Sequence, residues 1–354
     1  MTLLERLGLT IPIFQAPMAG VSTPALAAAV SNAGGLGGIA VGATDASGAC
    51  AMIDATRAAT NRAFNVNLFV HPTPRPDPVR EAAWRDALRP IFTEHGGAPP
   101  ETLRVIYTSF AEDAEMQAAL IERAPPVVSF HFGLPDARVI EALKSAGCVL
   151  LATATNRAEA TAIEAAGIDA IVAQGIEAGG HRGMFDPGAE DEGLGTLALT
   201  RLLVARQRLP VIAAGGIMDG AGVRAALDLG AIAAQLGTAF VACPESAADE
   251  GYRAALARAG ETGTAMTSAV SGRPARCLVN RFTAWGQGTT AMPPDYPIAY
   301  DAGKALNAAA KAVGEPGYGA QWAGQGAPLC RAMPAADLVR TIEAERHTAP
   351  AVAE

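Results

Sequence analysis

The segment AIVAQGIEAGGHRGM, residues 170–184, joins a short apolar run to a glycine-rich loop that carries His181 and Arg182. The apolar run at residues 170–174 predicts a buried strand. Glycines in the loop let backbone N–H groups approach a ligand closely, and a histidine titrates near neutral pH. We interpret the segment as the strand end and loop of a ligand site. A flexible surface loop with a solvated histidine is the alternative.

Seven further apolar runs of strand length flank this segment, and helical stretches separate them. The runs are continuously apolar rather than alternating, which is typical of strands buried on both faces. The eight predicted strands span residues 11–18, 36–42, 64–70, 127–133, 149–154, 170–174, 210–215 and 231–237. This alternation predicts an α/β fold, a (β/α)8 TIM barrel. A doubly wound open sheet is the alternative, but no GxGxxG motif follows the first strand.

Two segments depart from the alternation. Residues 71–100 are a proline-rich excursion around a predicted helix at 79–93, and residues 105–107 are predicted as a further short strand. After the eighth strand, residues 243–311 predict an additional, mainly helical lid over the barrel mouth. The predicted domains are a barrel of residues 1–242 and 312–354 and a lid of residues 243–311.

Composition and charge limit the function classes. The chain has 354 residues, half of them apolar, and a net charge of −8 without a basic run, so nucleic acid is not an expected partner. No segment is long enough to span a bilayer, and the first residues lack a signal-peptide pattern. The five cysteines are scattered without a CxxC pair, which indicates free thiols, no zinc site and a cytoplasmic location.

Polar residues and glycines gather at the predicted strand ends, where barrels of this type hold their active sites. Glycines that end the seventh and eighth strands predict a phosphate site built from backbone N–H groups, although ordinary turns also favour glycine. The two histidines at strand ends, His131 and His181, have no third residue at a zinc-ligand spacing. The candidates at strand ends are Pro17, Met18, Asn67, His131, Gln174, His181, Gly215, Gly216, Gln235, Gly237 and Thr238.

The predicted lid offers Tyr252, Tyr296, Tyr300 and Lys304. The last three are spaced by four residues and would share one face of a helix, although Pro297 interrupts a regular helix at its start. A lysine near the site would attract an anionic substrate. Packing for the tyrosines and solvent for the lysine is the plainer alternative.

Taken in order, these motifs resemble the nitronate monooxygenase family, formerly called 2-nitropropane dioxygenases. The resemblance covers most of the chain: QAPMAGV at the first strand, AQGIEAGGHRG at the sixth, AAGGI at the seventh and QLGTAF at the eighth. HFG after the fourth strand and the DYPIAYDAGK segment are similar to class I members in particular. The excursion at 71–100 matches no motif of the family.

The resemblance implies that FMN is bound without a covalent link. His181 would face the reactive edge of the flavin. The residues that would contact FMN are Pro17, Met18, Asn67, Gln174, Gly179, Gly180, Gly215, Gly216, Gln235, Gly237 and Thr238. Those that would line the substrate pocket are Tyr107, His131, Tyr252, Tyr296, Tyr300 and Lys304.

The implied reaction is the oxidation of an alkyl nitronate, with propionate 3-nitronate as the expected substrate, by FMN and dioxygen. The products would be a carbonyl compound and nitrite. The enzyme is expected to be a monomer or a homodimer. One alternative is an NAD(P)H-dependent FMN reductase on the same fold, acting on an enoyl-acyl carrier protein or a quinone. Another is a flavin-free barrel lyase or isomerase that acts on a phosphorylated substrate.

Overall fold

Parallel strands at the centre of the molecule form a barrel in the computed structural model, which describes residues 1–348. The barrel strands are β1 (Ile13–Gln15), β2 (Gly37–Ala40), β3 (Phe64–Phe69), β4 (Val127–His131), β5 (Val149–Ala154), β6 (Ala170–Gln174), β8 (Val211–Ala214) and β9 (Ala233–Leu236). Each pairs in parallel with its neighbours, and a bridge between Phe14 and Leu36 joins β1 to β2. The predicted (β/α)8 TIM barrel is therefore confirmed. A two-residue strand, β7 (Gly180–His181), lies outside the ring.

Helices surround the barrel, and polar caps fix where many of them begin. The side chains of Thr23, Asp45 and Asn156 each accept a hydrogen bond from an N–H of the first helical turn. The helices are α1 (Leu3–Arg6), α2 (Pro24–Asn32), α3 (Ala46–Ala59), α4 (Pro78–Glu94), α5 (Ala114–Arg123), α6 (Ala137–Ser145), α7 (Arg157–Ala165), α8 (Thr196–Arg206), α9 (Gly220–Asp228), α10 (Thr238–Val241), α11 (Glu250–Ala257), α12 (Ala259–Thr262), α13 (Arg281–Gly288), α14 (Ile298–Ala312) and α15 (Ala335–His347). The last of them, α15, packs against α9 and α2 and completes the outer layer.

The strands are buried on both faces, as their continuous apolar runs predicted. Along β5, Leu150 packs in the layer between strands and helices, whereas its neighbour Leu151 joins a cluster drawn from strands around the ring. Successive side chains of a strand point to opposite faces, so one run supplies both layers. The buried polar residues Asn65, Asn67 and Ser129 interrupt the apolar runs of β3 and β4, and Asn67 and Ser129 line the functional cavity.

The prediction of a short strand at residues 105–107 is wrong. Strands β3 and β4 pair directly with each other, with Asn65 opposite Val127, so no position remains in the ladder for a strand between them. The segment is instead held by side chains. Asp301 accepts hydrogen bonds from the backbone N–H and the guanidinium of Arg104, and Tyr107 is buried.

A second layer covers the mouth of the barrel, and we call it the cap: α4, α13, α14 and the hairpin of β10 (Thr264–Thr267) and β11 (Ala275–Leu278). In its core, Trp84 and Phe92 of α4 pack with Phe282 and Leu306. The proline-rich excursion therefore contributes α4 to the same layer as the predicted lid. The boundaries of residues 243–311 as a separate lid stay a prediction, and residues 349–354 of the predicted barrel domain lie outside the described residues.

None of the helices formed by residues 1–348 is both long enough and apolar enough to cross a membrane.

Candidate active site

A central cavity of about 500 Å³ lies between the C-terminal ends of the barrel strands and the cap. Its size is in the range of small-molecule and cofactor sites. All of the residues predicted for the site line it: Pro17, Met18, Asn67, Tyr107, His131, Gln174, Gly179, Gly180, His181, Gly215, Gly216, Gln235, Gly237, Thr238, Tyr252, Tyr296, Tyr300 and Lys304. The structure thus brings together residues that are up to 287 positions apart in the chain. Their individual roles stay predictions.

The glycine-rich loop that carries His181 is anchored to the cap. Gly180 and His181 form β7, which pairs antiparallel with β11 through Arg276 and Ala275. The backbone N–H of Arg182 donates to the carbonyl of Pro274 at 2.9 Å. The loop is therefore the edge strand of a three-stranded sheet, which is not the flexible surface loop considered as an alternative.

The side chain of Arg182 also holds this loop in place. Its side chain is 1% exposed and donates to the backbone carbonyls of Gln174 and Gly175 and to both carboxylate oxygens of Asp191. The amide of Gln174 donates to the carbonyl of His181 at 2.9 Å and accepts from the N–H of Gly183 at 2.8 Å. These hydrogen bonds satisfy buried groups and hold the loop in one conformation.

We expect Asp191→Asn to destabilise the protein by about 2 kcal/mol, because the buried guanidinium of Arg182 loses its carboxylate partner. Hydrogen bonds from Arg182 lower the pKa of Asp191, so the unfolded chain binds more protons in acid. This stabilisation is present near neutral pH and is lost as the pH falls below about 4. Denaturant unfolding at pH 7 and pH 3 checks it: the difference between wild type and variant shrinks in acid. Glu192→Asn is the control, and an equal loss in it would contradict the assignment.

His181 lies among aromatic rings at the floor of the cavity. Its ring centroid is 5.0 Å from that of Trp322, 5.4 Å from Tyr296 and 6.2 Å from Tyr300. Its Nε2 atom is 2.9 Å from the hydroxyl of Ser271, while Nδ1 has no partner among residues 1–348. Burial, with a smaller contribution from the neighbouring His131, lowers the pKa of His181 to about 3. The imidazole is therefore neutral at physiological pH, with one nitrogen left for a ligand.

His131 uses both of its ring nitrogens inside the protein. Nδ1 is 3.0 Å from the hydroxyl of Thr153, and Nε2 is 3.1 Å from the carbonyl of His181. Burial lowers the pKa of His131 to about 4, so it is also neutral. The ring lines the cavity, but its hydrogen bonds hold the backbone of His181 in place.

The turns after β8 and β9 form a cradle for an anionic group. Gly215 and Gly216 have φ angles of +131° and +69°, which L side chains rarely adopt. Within residues 1–348, the backbone N–H groups of Gly216, Gly237 and Thr238 donate to no protein acceptor. Free N–H groups that converge at two neighbouring strand ends are what a phosphate group requires.

Other polar groups around the cavity are held in place by the barrel. The amide of Asn67 donates to the hydroxyl of Ser129 at 2.9 Å. The hydroxyl of Ser22 accepts from the N–H of Met18 at 2.9 Å, which fixes the loop after β1. The phenol of Tyr252 donates to the carbonyl of Trp322, so it ties α11 to the segment that follows α14. These contacts position the walls before any ligand binds.

The cap side of the cavity combines aromatic rings with the ammonium groups of Lys304 and Lys311. The ammonium of Lys304 lies 4.9 Å from the ring centroid of Tyr107 and 5.5 Å from that of Tyr300. Lys304 is exposed, whereas Tyr296 is buried and its hydroxyl has no partner among the described residues. An unpaired buried hydroxyl is costly, so it indicates a ligand group at this point.

Several residues at the site were missed by the sequence analysis: Phe132, Thr153, Ser271, Arg273 and Trp322. Ser271 and Trp322 contact His181 directly. They lie 90 and 141 positions beyond it and come close only through the pairing of β7 with β11 and the return of the tail. The order of the predicted elements carries no signal for such contacts.

Comparisons with known proteins converge on one family. A family model described as nitronate monooxygenase matches residues 2–345. A nitronate monooxygenase of Paraburkholderia phytofirmans is 61% identical, with 97% of this chain and 94% of that protein covered. One of Pseudomonas aeruginosa is 56% identical, with 96% and 97% covered.

Solved structures that are similar to this chain include a nitroalkane oxidase and FabK. A nitroalkane oxidase of Streptomyces ansochromogenes superposes with a TM-score of 0.88 at 41% identity, over 97% of both chains. FabK of Thermotoga maritima superposes less well, with a TM-score of 0.73 at 30% identity over 97% of this chain and 95% of that one.

Proposed function

This chain belongs to the nitronate monooxygenase family and is an oxidoreductase that oxidises nitronates, and on that premise we propose that it uses FMN and dioxygen to convert propionate 3-nitronate to a carbonyl compound and nitrite. The observation that carries the proposal is the neutral His181 facing an aromatic cavity, with a phosphate cradle on one side and Lys304 on the other.

The residues present fit FMN. The unpaired N–H groups of Gly216, Gly237 and Thr238 would hold its phosphate, and the polar groups of Asn67 and Gln235 line the same cavity. Gln174 also lines the cavity, but its amide is engaged in the loop, so it would contact the flavin through its side-chain face. The chemistry that FMN supplies when bound is the acceptance of electrons from the nitronate.

The residues of the chain orient the substrate and exclude water. A nitronate is already an anion, so no strong base is needed to activate it. Neutral His181 offers its free Nδ1 edge to the substrate. In the tautomer with Nδ1–H it would donate to a nitro oxygen, and in the other tautomer Nδ1 would accept the α-proton of a neutral nitroalkane. The rings of Tyr296, Tyr300 and Trp322 surround that edge and restrict the poses that a small substrate can adopt.

Lys304 accounts for the choice of a carboxylated nitronate, because its ammonium lies beside Tyr107 and Tyr300 and makes no ion pair among residues 1–348. Lys311 also lines the cavity, but it pairs with Asp249. We expect Lys304→Met to raise the KM for propionate 3-nitronate about fivefold, because an exposed charge contact contributes at most about 1 kcal/mol. The KM for ethyl nitronate, which has no carboxylate, should change less than twofold. Steady-state kinetics with both substrates checks this, and equal changes would contradict a carboxylate contact.

The NAD(P)H-dependent reductase alternative is not favoured. Relatives that are 56–61% identical are named nitronate monooxygenase, whereas the FabK structure is 30% identical.

The five cysteines are all free thiols, which supports the cytoplasmic location that we propose. We also propose that the enzyme works as a monomer or a homodimer.

Oxygen uptake tests the function directly. We expect the FMN-loaded protein to consume dioxygen and release nitrite when propionate 3-nitronate is added, in proportion to the substrate used. Protein prepared without FMN is the control. Absence of both signals in flavin-loaded protein would rule out the proposed reaction.

A further inference from the structure

Arg273 is a buried cation that the reaction described above leaves unused. It is 2% exposed, and among residues 1–348 its guanidinium donates one hydrogen bond, to the carbonyl of Met184. No described carboxylate is within ion-pair distance, and Glu159 and Asp186 act on it only at longer range. Burial lowers the pKa of Arg273 to about 10, so it stays charged at neutral pH. A buried charge without a carboxylate partner is costly and rare in proteins.

The guanidinium lies against the ring of Phe132, with its central carbon 4.0 Å from the ring centroid. Phe132 has a φ of +78°, a conformation that a bulky residue adopts at a cost and that clusters at functional sites. Its ring meets those of His131 at 4.6 Å, Tyr296 at 5.4 Å and His181 at 5.5 Å. Phe132 is therefore the contact between the buried charge and the floor of the cavity.

Arg273 also lies within the segment that holds His181. Ser271, two residues earlier, bonds the His181 ring, and the carbonyl of Pro274 accepts from the loop backbone. Together the distances to Phe132 put the guanidinium within about 10 Å of the His181 ring. At an effective dielectric constant of about 20, a unit charge at that distance changes the binding of an anion by about tenfold.

We propose that Arg273 is a positioning residue whose uncompensated charge, transmitted across Phe132, makes the cavity select the anionic nitronate. The inference rests on the proposed function. The guanidinium holds Phe132 against His181. Because no described carboxylate pairs with it, its positive potential acts on an anion bound in the cavity. Burial is the main cause of the lowered pKa of both His131 and His181, and the charge of Arg273 lowers both further within those values. Both rings therefore stay neutral beside the anion.

Two measurements test the inference. One is calorimetric binding of nitrite, the anionic product of the proposed reaction, and the other is the KM for propionate 3-nitronate. In the FMN-loaded enzyme, Arg273→Met is expected to weaken nitrite binding and to raise that KM about tenfold each. The matched control is Arg276→Met, which removes a buried charge from β11 whose guanidinium bonds Ile176 and Thr264. Nitrite affinity in that control should stay within about twofold of wild type.

Arg273→Lys keeps the charge and should keep nitrite affinity within about threefold, even though kcat falls because the stacking on Phe132 is lost. It carries the test if Arg273→Met fails to fold. A tenfold loss of nitrite affinity in Arg273→Lys, or none in Arg273→Met, would overturn the inference. Wild type that binds nitrite but does not oxidise the nitronate would overturn the proposed function instead.

Discussion

His181→Asn is expected to lower kcat/KM for propionate 3-nitronate by about 100-fold, because misplacing the substrate by about 1 Å costs that much in rate. Asparagine is shorter than histidine and cannot both reach Ser271 and present an edge to the cavity, so the substrate loses its fixed pose. The flavin should stay bound, because the phosphate cradle lies on other strands. Steady-state kinetics and the flavin-to-protein ratio of the purified variant check both parts.

His347→Asn is the matched control for that variant. His347 lies in the last turn of α15, where its side chain is 63% exposed and contacts the nearby Glu343 and Arg346. Kinetics within twofold of wild type are expected. If His181→Asn is purified without flavin, the residue has a structural role, and if its kinetics match wild type, the assignment of His181 to the reaction is wrong.

Gly237→Val is expected to raise the Kd for FMN about 100-fold, the loss of about 3 kcal/mol of binding free energy. The φ of Gly237 is −108°, which valine adopts, and its Cβ would stand 3.3 Å from Ala16 and 3.7 Å from Met18. The contact with Ala16 is tight and requires a shift of a few tenths of an ångström, which we expect the fold to accommodate, while the branched methyl groups enter the space that the phosphate requires. Titration of flavin-free protein with FMN measures the Kd, and thermal unfolding of the flavin-free form checks the fold.

Gly288→Val serves as the control, because nothing lies within 4 Å of its Cβ at the end of α13. It should bind FMN as the wild type does. A folded Gly237→Val variant with wild-type affinity for FMN would show that the phosphate does not lie at this turn.

The barrel and the floor of its cavity could be predicted because both follow from local patterns. Continuous apolar runs predict strands buried on two faces, and parallel strands place their C-terminal ends on one rim. Asn67 lies in the third run, and Gln174 and Gly237 end the sixth and eighth, so their meeting in one cavity needs no knowledge of distant contacts.

The cap could not be predicted in the same way. The hairpin of β10 and β11 pairs with a strand of only two residues, and nothing in the sequence of residues 264–278 marks its partner. The packing of α4 on α14 joins residues that are more than 200 positions apart. Arg273 and Ser271 acquire their positions from these long-range contacts, so they lie outside what periodicity and strand ends can reveal.

Anaerobic rapid mixing, followed by the visible absorbance of the bound flavin, tests most directly whether the nitronate is the electron donor. The FMN-loaded enzyme is mixed with propionate 3-nitronate in one experiment and with NADH in another. We expect the flavin spectrum to change rapidly with the nitronate and to stay unchanged with NADH. Bleaching by NADH without any response to the nitronate would contradict nitronate oxidation and place the protein with the flavin reductases.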